Sequence, residues 1–289
     1  MPKSTAMPLQ GKRILVTRTR EQASKLSERL RALGAIPVEF PTIRIAPPED
    51  WHALDSALER LYAHEGPVYD WLVLTSANGV TICCERLHTL GHDVRDLQAK
   101  QHVRIATIGP ATAAALTHYS ITADLVPDEY IAESVATALI ADTRKCGSSI
   151  MGQRILLARA AEARKALVPE LQQAGALVDE VAAYSTLPAT NDDGRGHEIA
   201  NLLLNHQLAI LTFTSSSTVR NFFMWLKSRE QGSATALTDL VMEHTLVASI
   251  GPITSQATRE LGLRVDIEAK EFTIDGLVNA IVQYEESLL

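Results

Sequence analysis

Gly11-Lys-Arg-Ile-Leu-Val-Thr-Arg18 returns 141 positions later as Gly152-Gln-Arg-Ile-Leu-Leu-Ala-Arg159. The register then continues without a gap, since Glu21, Leu26, Leu30, Gly34, Ala35, Glu39 and Pro47 meet Glu162, Leu167, Leu171, Gly175, Ala176, Glu180 and Pro188. Working outward, Val73-Leu-Thr-Ser-Ala-Asn-Gly-Val80 resembles Thr212-Phe-Thr-Ser-Ser-Ser-Thr-Val219 at a spacing of 139. Ile108-Gly-Pro-Ala-Thr112 matches Ile250-Gly-Pro-Ile-Thr254 at 142. Three spacings so close to one another, met in the same order, indicate one unit written twice. Each copy reads as a short β-rich run followed by an amphipathic one. Arg13 to Thr17 is a strand, and Gln22 to Leu33 carries Ala23, Leu26, Leu30 and Leu33 at helical spacing before Gly34 ends the helix. Tyr69–Thr75, Val103–Ile108, Leu208–Thr214 and Leu246–Ile250 repeat the pattern.

Strands that are apolar along their length and alternate with helices imply parallel sheets covered on both faces, with ligands beyond the carboxyl ends of the strands. Pro37 to Ile45 and Val178 to Thr186 are β-prone and bounded by prolines or small polar residues, and read as crossings between domains. Asn191–His197 and Arg144–Ser149 read as polar loops.

The chain has 289 residues, enough for two domains of ordinary size. With 46% hydrophobic and 21% charged residues it is far from the disordered regime. A net charge of −7 and 5% aromatics advertise neither a phosphate-tracking surface nor base-stacking platforms, so no nucleic-acid partner is expected. Met1 to Pro8 lacks the apolar core of a secretory signal, and no long apolar run suggests a membrane span; a cytoplasmic protein is expected. Cys83, Cys84 and Cys146 fit buried thiols in a reducing compartment.

The chemistry-bearing segments are the loops after the strands: Thr17-Arg18, Thr75 to Gly79, Gly109 to Thr112, Thr214 to Thr218 and Gly251 to Thr254. They are small, rich in hydroxyls and placed at helix starts, where backbone N–H groups and the helix dipole receive an anion. Plain N-capping explains any one of them; a shared ligand cleft explains the set. Arg18, Arg20 and Arg159 stand at strand ends where guanidinium forks suit carboxylates. The duplicated positions of Arg18 and Arg159 equally suit a structural clamp. Cys84, His88 and His92 follow helical spacing, but Gly91 interrupts them and nothing completes a metal set, so no metal is expected. Asp179 and Glu180 are adjacent on a strand, point opposite ways and read as solvated edges rather than an acid/base pair. Tyr184 is the aromatic of the second crossing, either packed between domains or offering a weak acid to a leaving hydroxyl.

Together, Leu15 to Arg18, Phe40-Pro41, Leu74 to Val80, Ile108 to Thr112, Glu133-Ser134, Gly175-Ala176 with Tyr184, Thr212 to Ser215, Ile250 to Thr254 and Phe272 to Leu277 resemble the uroporphyrinogen-III synthase family. The resemblance implies two similar flavodoxin-like α/β parallel-sheet domains joined by a two-stranded β-ladder. One is built from residues 1–38 with 188–289 and the other from 46–178, with 37–47 and 178–188 as linker strands. It further implies closure of hydroxymethylbilane with loss of water and inversion of the last ring through a spiro intermediate, without a cofactor. Tyr184 aligns with the family's acid or orienting tyrosine, and Thr112 and Thr254 with cleft hydroxyls, while Ser76, Ser215 and Ser216 lie in its loops and Arg18 joins them as a substrate contact. Ile253 replaces a threonine of some relatives. A monomer is implied, with transient contact to the preceding bilane-forming enzyme. The competing expectation is a phosphosugar or metabolite sensor using the same hydroxyl loops.

Overall fold

In the computed structural model of the chain, the described residues are 7–63, 68–145, 147, 149–163, 166–189, 194–230 and 236–288, with the side chains of 20–22 outside that set. Among the described residues ten strands follow in chain order: β1 (Arg13–Val16), β2 (Ile36–Glu39), β3 (Ile43–Ala46), β4 (Trp71–Leu74), β5 (Arg104–Thr107), β6 (Arg154–Ala160), β7 (Leu177–Pro188), β8 (Ile210–Phe213), β9 (Leu246–Ser249) and β10 (Ile267–Glu268). The chain divides into two compact units, Met1–Arg44 with Leu187–Leu289, and Ile45–Thr186.

The first unit carries a sheet ordered β10-β9-β8-β1-β2, parallel at every pairing. Counted along the unit this is the flavodoxin-like order 2-1-3-4-5, whose switch point lies between β1 and β8. Alternation along the strands sends Ile14, Val16, Ile210 and Ala248 to one face, against Leu26, Leu30, Leu277 and Ile281 of the helices Arg20–Ala32 and Ile274–Glu286. Leu15, Leu211, Phe213 and Val247 face the other way, onto Phe40, Phe222 and Leu226. Between β1 and β8 two buried threonines bond reciprocally, Thr17 Oγ1 to the Thr212 carbonyl and Thr212 Oγ1 to the Leu15 carbonyl, each at 2.7 Å. The β1 and β8 ends are thereby locked in register, and the loops that leave them start from fixed points.

The second unit carries β3-β7-β6-β4-β5. The pairings of β7, β6, β4 and β5 are parallel, and an isolated parallel bridge from Ala106 to Leu125 stands where β10 stands in the other sheet. Leu72, Leu74, Leu156 and Ala158 pack on one side with Val80, Cys83 and Leu87 of the helix Ala77–Thr89. Trp71, Val73, Ile155 and Leu157 pack on the other with Val135, Leu139 and Leu171.

Gly34 and Gly175 end equivalent helices with φ of +89° and +92°, a left-handed conformation that costs glycine no Cβ clash and turns the chain sharply back into the next strand. The two segments read from sequence as crossings are sheet members over most of their length. Pro37, Val38 and Glu39 pair with β1, and β7 pairs with β6 from Leu177 to Tyr184. Extended β-prone chain satisfies its backbone groups inside a sheet, and the boundaries between the two units, after Arg44 and after Thr186, fall in these same two segments. The loop expected at Asn191–His197 is shorter on its described side, because a helix already begins at Arg195; residues 191–193 lie outside the described set. Likewise the helix Ala132–Lys145 runs into the segment expected as the loop Arg144–Ser149.

Candidate active site

Tyr184 owes its position to an irregularity in β7. Arg159 of β6 pairs with Ala182, but the next residue, Ala160, pairs with Tyr184, so Ala183 is an extra residue on the β7 side. Simple alternation would send Tyr184 to the face of Glu180 and Ala182. The bulge instead places Ala183 and Tyr184 together in the core against Leu74, Val80 and Ala158. The tyrosine is only 6% exposed, and its hydroxyl lies 2.8 Å from Ser76 Oγ.

Ser76 is the N-cap of the helix Ala77–Thr89 and accepts the Gly79 N–H at 3.0 Å. Its oxygen is thus held by the helix while its hydroxyl bonds to Tyr184. Burial raises the Tyr184 phenol above its ordinary value, hydrogen bonds from Ser76 and Asn78 act the other way, and the Glu162 carboxylate adds to the rise. The hydroxyl is therefore neutral at pH 7, with a proton to give. Asn78 was not singled out by sequence reasoning, since an Asn in the first turn of a helix reads as turn chemistry. Nothing in a linear sequence marks it as a tyrosine partner.

Thr112 lies in the first turn of the helix Pro110–Thr117 and is 3% exposed. Its N–H donates to the Gly109 carbonyl at 3.1 Å. Arg159, 2% exposed, is engaged by Glu180 on the neighbouring strand, through Nε at 2.8 Å and Nη2 at 2.7 Å. In this copy the strand-end arginine is a clamp between β6 and β7. Asp179 and Glu180 point opposite ways, and each is committed: Asp179 accepts from Tyr69 at 2.7 Å and pairs with Arg60. Both remain exposed, as solvated strand edges that also carry these partners.

In the first unit the duplicated residues take different partners. Glu39, the counterpart of Glu180, accepts from Ser27 at 2.6 Å and lies 3.7 Å from Arg31. Arg18, the counterpart of Arg159, is half-buried, and desolvation lowers its guanidinium to about 10, so it remains cationic at neutral pH. Ser215 accepts the Thr218 N–H at 3.3 Å and bonds Ser217 Oγ at 2.9 Å, and Ser216 donates to the Ile253 carbonyl at 3.4 Å. That last bond ties the β8 loop to the glycine-proline turn after β9, where Thr254 is 4% exposed. Buried Ser249 braces the turn by accepting the Gly251 N–H at 3.3 Å.

The site residues read from sequence thus fall into two groups, Ser76, Thr112 and Tyr184 in one unit and Arg18, Ser215, Ser216 and Thr254 in the other, all at the carboxyl ends of strands or the helix starts that follow. The structure brings Ser76 and Tyr184 into direct contact, and Ser216 to the turn that holds Thr254. The side chain of Arg20 lies outside the described residues. Cys84 and His88 share a helix that ends at Thr89, and His92, beyond it, stacks on Tyr62 at 4.1 Å. Among the described residues no group of three or more His, Cys, Asp or Glu could hold a metal ion. Burial pushes the Cys84 thiol up to about 12 and Cys83 higher still, so both are unreactive core residues; Cys146 lies outside the described set.

The family described as uroporphyrinogen-III synthase HemD matches residues 24–279. The chain belongs to the uroporphyrinogen-III synthase family. A uroporphyrinogen-III synthase of Synechococcus elongatus is 37% identical over 279 residues, 96% of this chain and 97% of that protein. Another from Chlorobaculum parvum is 28% identical over 272 residues, 94% of this chain and 98% of its own. Among solved structures, a mutant uroporphyrinogen III synthase from Thermus thermophilus covers 96% of this chain and 100% of its own with a TM-score of 0.63. At 18% identity that likeness is one of fold. Uroporphyrinogen-III synthases are cyclising lyases, and the metabolite-sensor alternative is not favoured. No helix among the described residues is long and apolar enough to cross a membrane.

Proposed function

We propose that this chain cyclises hydroxymethylbilane to uroporphyrinogen III with loss of water and inversion of the last pyrrole ring through a spiro intermediate, and that Tyr184 protonates the departing hydroxyl. Family membership supports the reaction. The contact between Ser76 and Tyr184 supports the residue assignment. In the polarity where Gly79 N–H donates to Ser76, and Ser76 donates to Tyr184, each bond strengthens the next and the phenolic proton is left for the substrate. A phenol with a pKa above 10 is a weak acid, yet hydroxide is the conjugate base of water with a pKa near 15.7, so the transfer is downhill once the C–O bond opens.

The pyrrole nitrogen supplies the electron push that expels hydroxide, and the remaining task is geometric. A bilane that also closes without inversion must be held so that the strained route is the faster one. We assign Arg18, Ser76, Thr112, Ser215, Ser216 and Thr254 to the binding of substrate carboxylates. Helix starts and hydroxyls at the strand ends favour anions, and Arg18 is the desolvated cation among them. Thr112 and Thr254 are nearly buried, so they serve by shaping the turns whose helix starts face the substrate. The protein acts without a cofactor, as a cytoplasmic monomer that receives its labile substrate in transient contact with the bilane-forming enzyme. The test is to supply freshly generated hydroxymethylbilane, oxidise the products and separate the uroporphyrin isomers. Predominance of type III is expected, and type I alone from folded protein would remove the assignment.

A further inference from the structure

Two half-exposed aromatic rings stand beside the two glycine-proline turns. Tyr130 and Phe272 are 142 positions apart, the same spacing that separates Gly109 from Gly251. Each ring lies against its own glycine. A Cβ built on Gly109 would sit 3.0 Å from Cγ and Cδ1 of Tyr130, and one built on Gly251 would sit 2.7 Å from Cδ1 of Phe272. Both glycines have extended backbone, with φ of 179° and 165°, so close approach of the ring and not backbone strain is what requires glycine there.

Among the described residues neither aromatic is counted in a core cluster, and they remain 37% and 38% exposed. Covering a turn needs only an apolar side chain. Keeping a flat ring at the surface, in both copies and beside the helix starts of Thr112 and Thr254, favours a ligand that presents flat rings. The hydroxyls and Arg18 answer the carboxylates of a bilane but offer nothing to the faces of its pyrroles.

We infer that Tyr130 and Phe272 are positioning residues that pack against pyrrole rings of the substrate, one at each glycine-proline turn, and so favour ring inversion over direct closure. The inference rests on the proposed reaction. Stacking contacts of the strength typical of aromatic pairs correspond to about a 2-fold to 10-fold change in binding each.

The experiment measures kcat, KM and the ratio of type III to type I isomer with hydroxymethylbilane, together with thermal stability, for Tyr130→Leu, Phe272→Leu, Tyr130→Phe, Phe272→Tyr and Gly251→Ala. The leucine variants should raise KM about 2-fold to 10-fold and increase the share of type I, and the aromatic swaps should restore both. Gly251→Ala leaves the ring chemistry intact but drives Phe272 from its seat, and should behave like Phe272→Leu. Folded leucine variants with unchanged KM and isomer ratio would overturn the inference. So would a loss that follows thermal stability alone and is not rescued by the aromatic swaps. Should Phe272→Leu fail to fold, an unaltered KM in Gly251→Ala overturns the role of Phe272. Unmodified protein that makes only type I would instead remove the proposed reaction itself, an outcome visible in the first trace and separate from the variants.

Discussion

Replacing Tyr184 by Phe removes one oxygen from a residue that is otherwise packed into the second unit's core. The ring keeps its contacts with Leu74, Val80 and Ala158, and Ser76 keeps the Gly79 N–H. The stability cost is therefore that of one lost hydrogen-bonding hydroxyl, about 1 kcal/mol. General acids contribute about 100-fold to 10,000-fold, but hydroxide expulsion here is already driven by the pyrrole nitrogen. The expected fall in kcat is accordingly near the lower end, about 10-fold to 100-fold, with KM little changed because the phenol carries no charge. The assay is steady-state consumption of hydroxymethylbilane with isomer analysis, alongside thermal denaturation to certify folding. Burial adds a second signature. A phenol pushed above 10 stays protonated through neutral and mildly alkaline pH, so the unmodified enzyme should show no tyrosine-linked decline between pH 7 and about 9. Unchanged kcat in folded Tyr184→Phe would refute the acid role. An alkaline limb near pH 8 that vanishes in that variant would refute the desolvation argument instead.

Ser76→Ala should cost about 1 kcal/mol through loss of the N-cap to Gly79 and also lower kcat by removing the donor behind Tyr184, whereas Ser215→Ala should cost a similar stability without altering the pH profile. Denaturant titration with parallel kinetics separates the two. Glu180→Ala deprives buried Arg159 of a carboxylate partner and should destabilise the protein by about 2 kcal/mol, as read in urea unfolding. Gly276, in the first turn of the last helix, leaves no room for a Cβ beside the Glu271 carbonyl, so Gly276→Ala must move backbone and a loss of about 2 to 3 kcal/mol is expected by calorimetry. Asp55, held below the usual carboxylate range by hydrogen bonds from Arg86, contributes stability that is present above its unfolded pKa and lost as pH falls through the lower folded value. Asp55→Asn should accordingly flatten the acid limb of the stability profile, and an unaltered limb would contradict the pairing.

The duplicated GKRILVTR and GQRILLAR stretches and their matched glycines are enough to reach paired α/β sheets, because period and turn chemistry are local properties. Strand cores, helix starts, the turns at Gly34 and Gly175 and the hydroxyl loops follow from composition within a few residues. Arg18 and Arg159 show where such reading ends. Their sequence positions are equivalent, yet Glu180 clamps Arg159 while Glu39 is drawn to Ser27 and Arg31, where the second copy has Val168 and Gln172 at the matching positions. Tyr184 shows the same limit more sharply. Period-two alternation assigns it to the face of Glu180, and only the extra residue in the pairing with β6 turns it toward Ser76, 108 positions away. The seats of Tyr130 and Phe272 on their glycines were equally invisible, although the 142-residue spacing that relates them lay in plain sequence. Sequence by itself determined the repeat, the strands, the family and the kind of residue at each strand end, because these are written in local pattern and spacing. Tertiary structure alone decided which hydroxyl meets which phenol and that Tyr184 turns into the core, because register and bulges are settled by packing between segments that the chain order keeps apart.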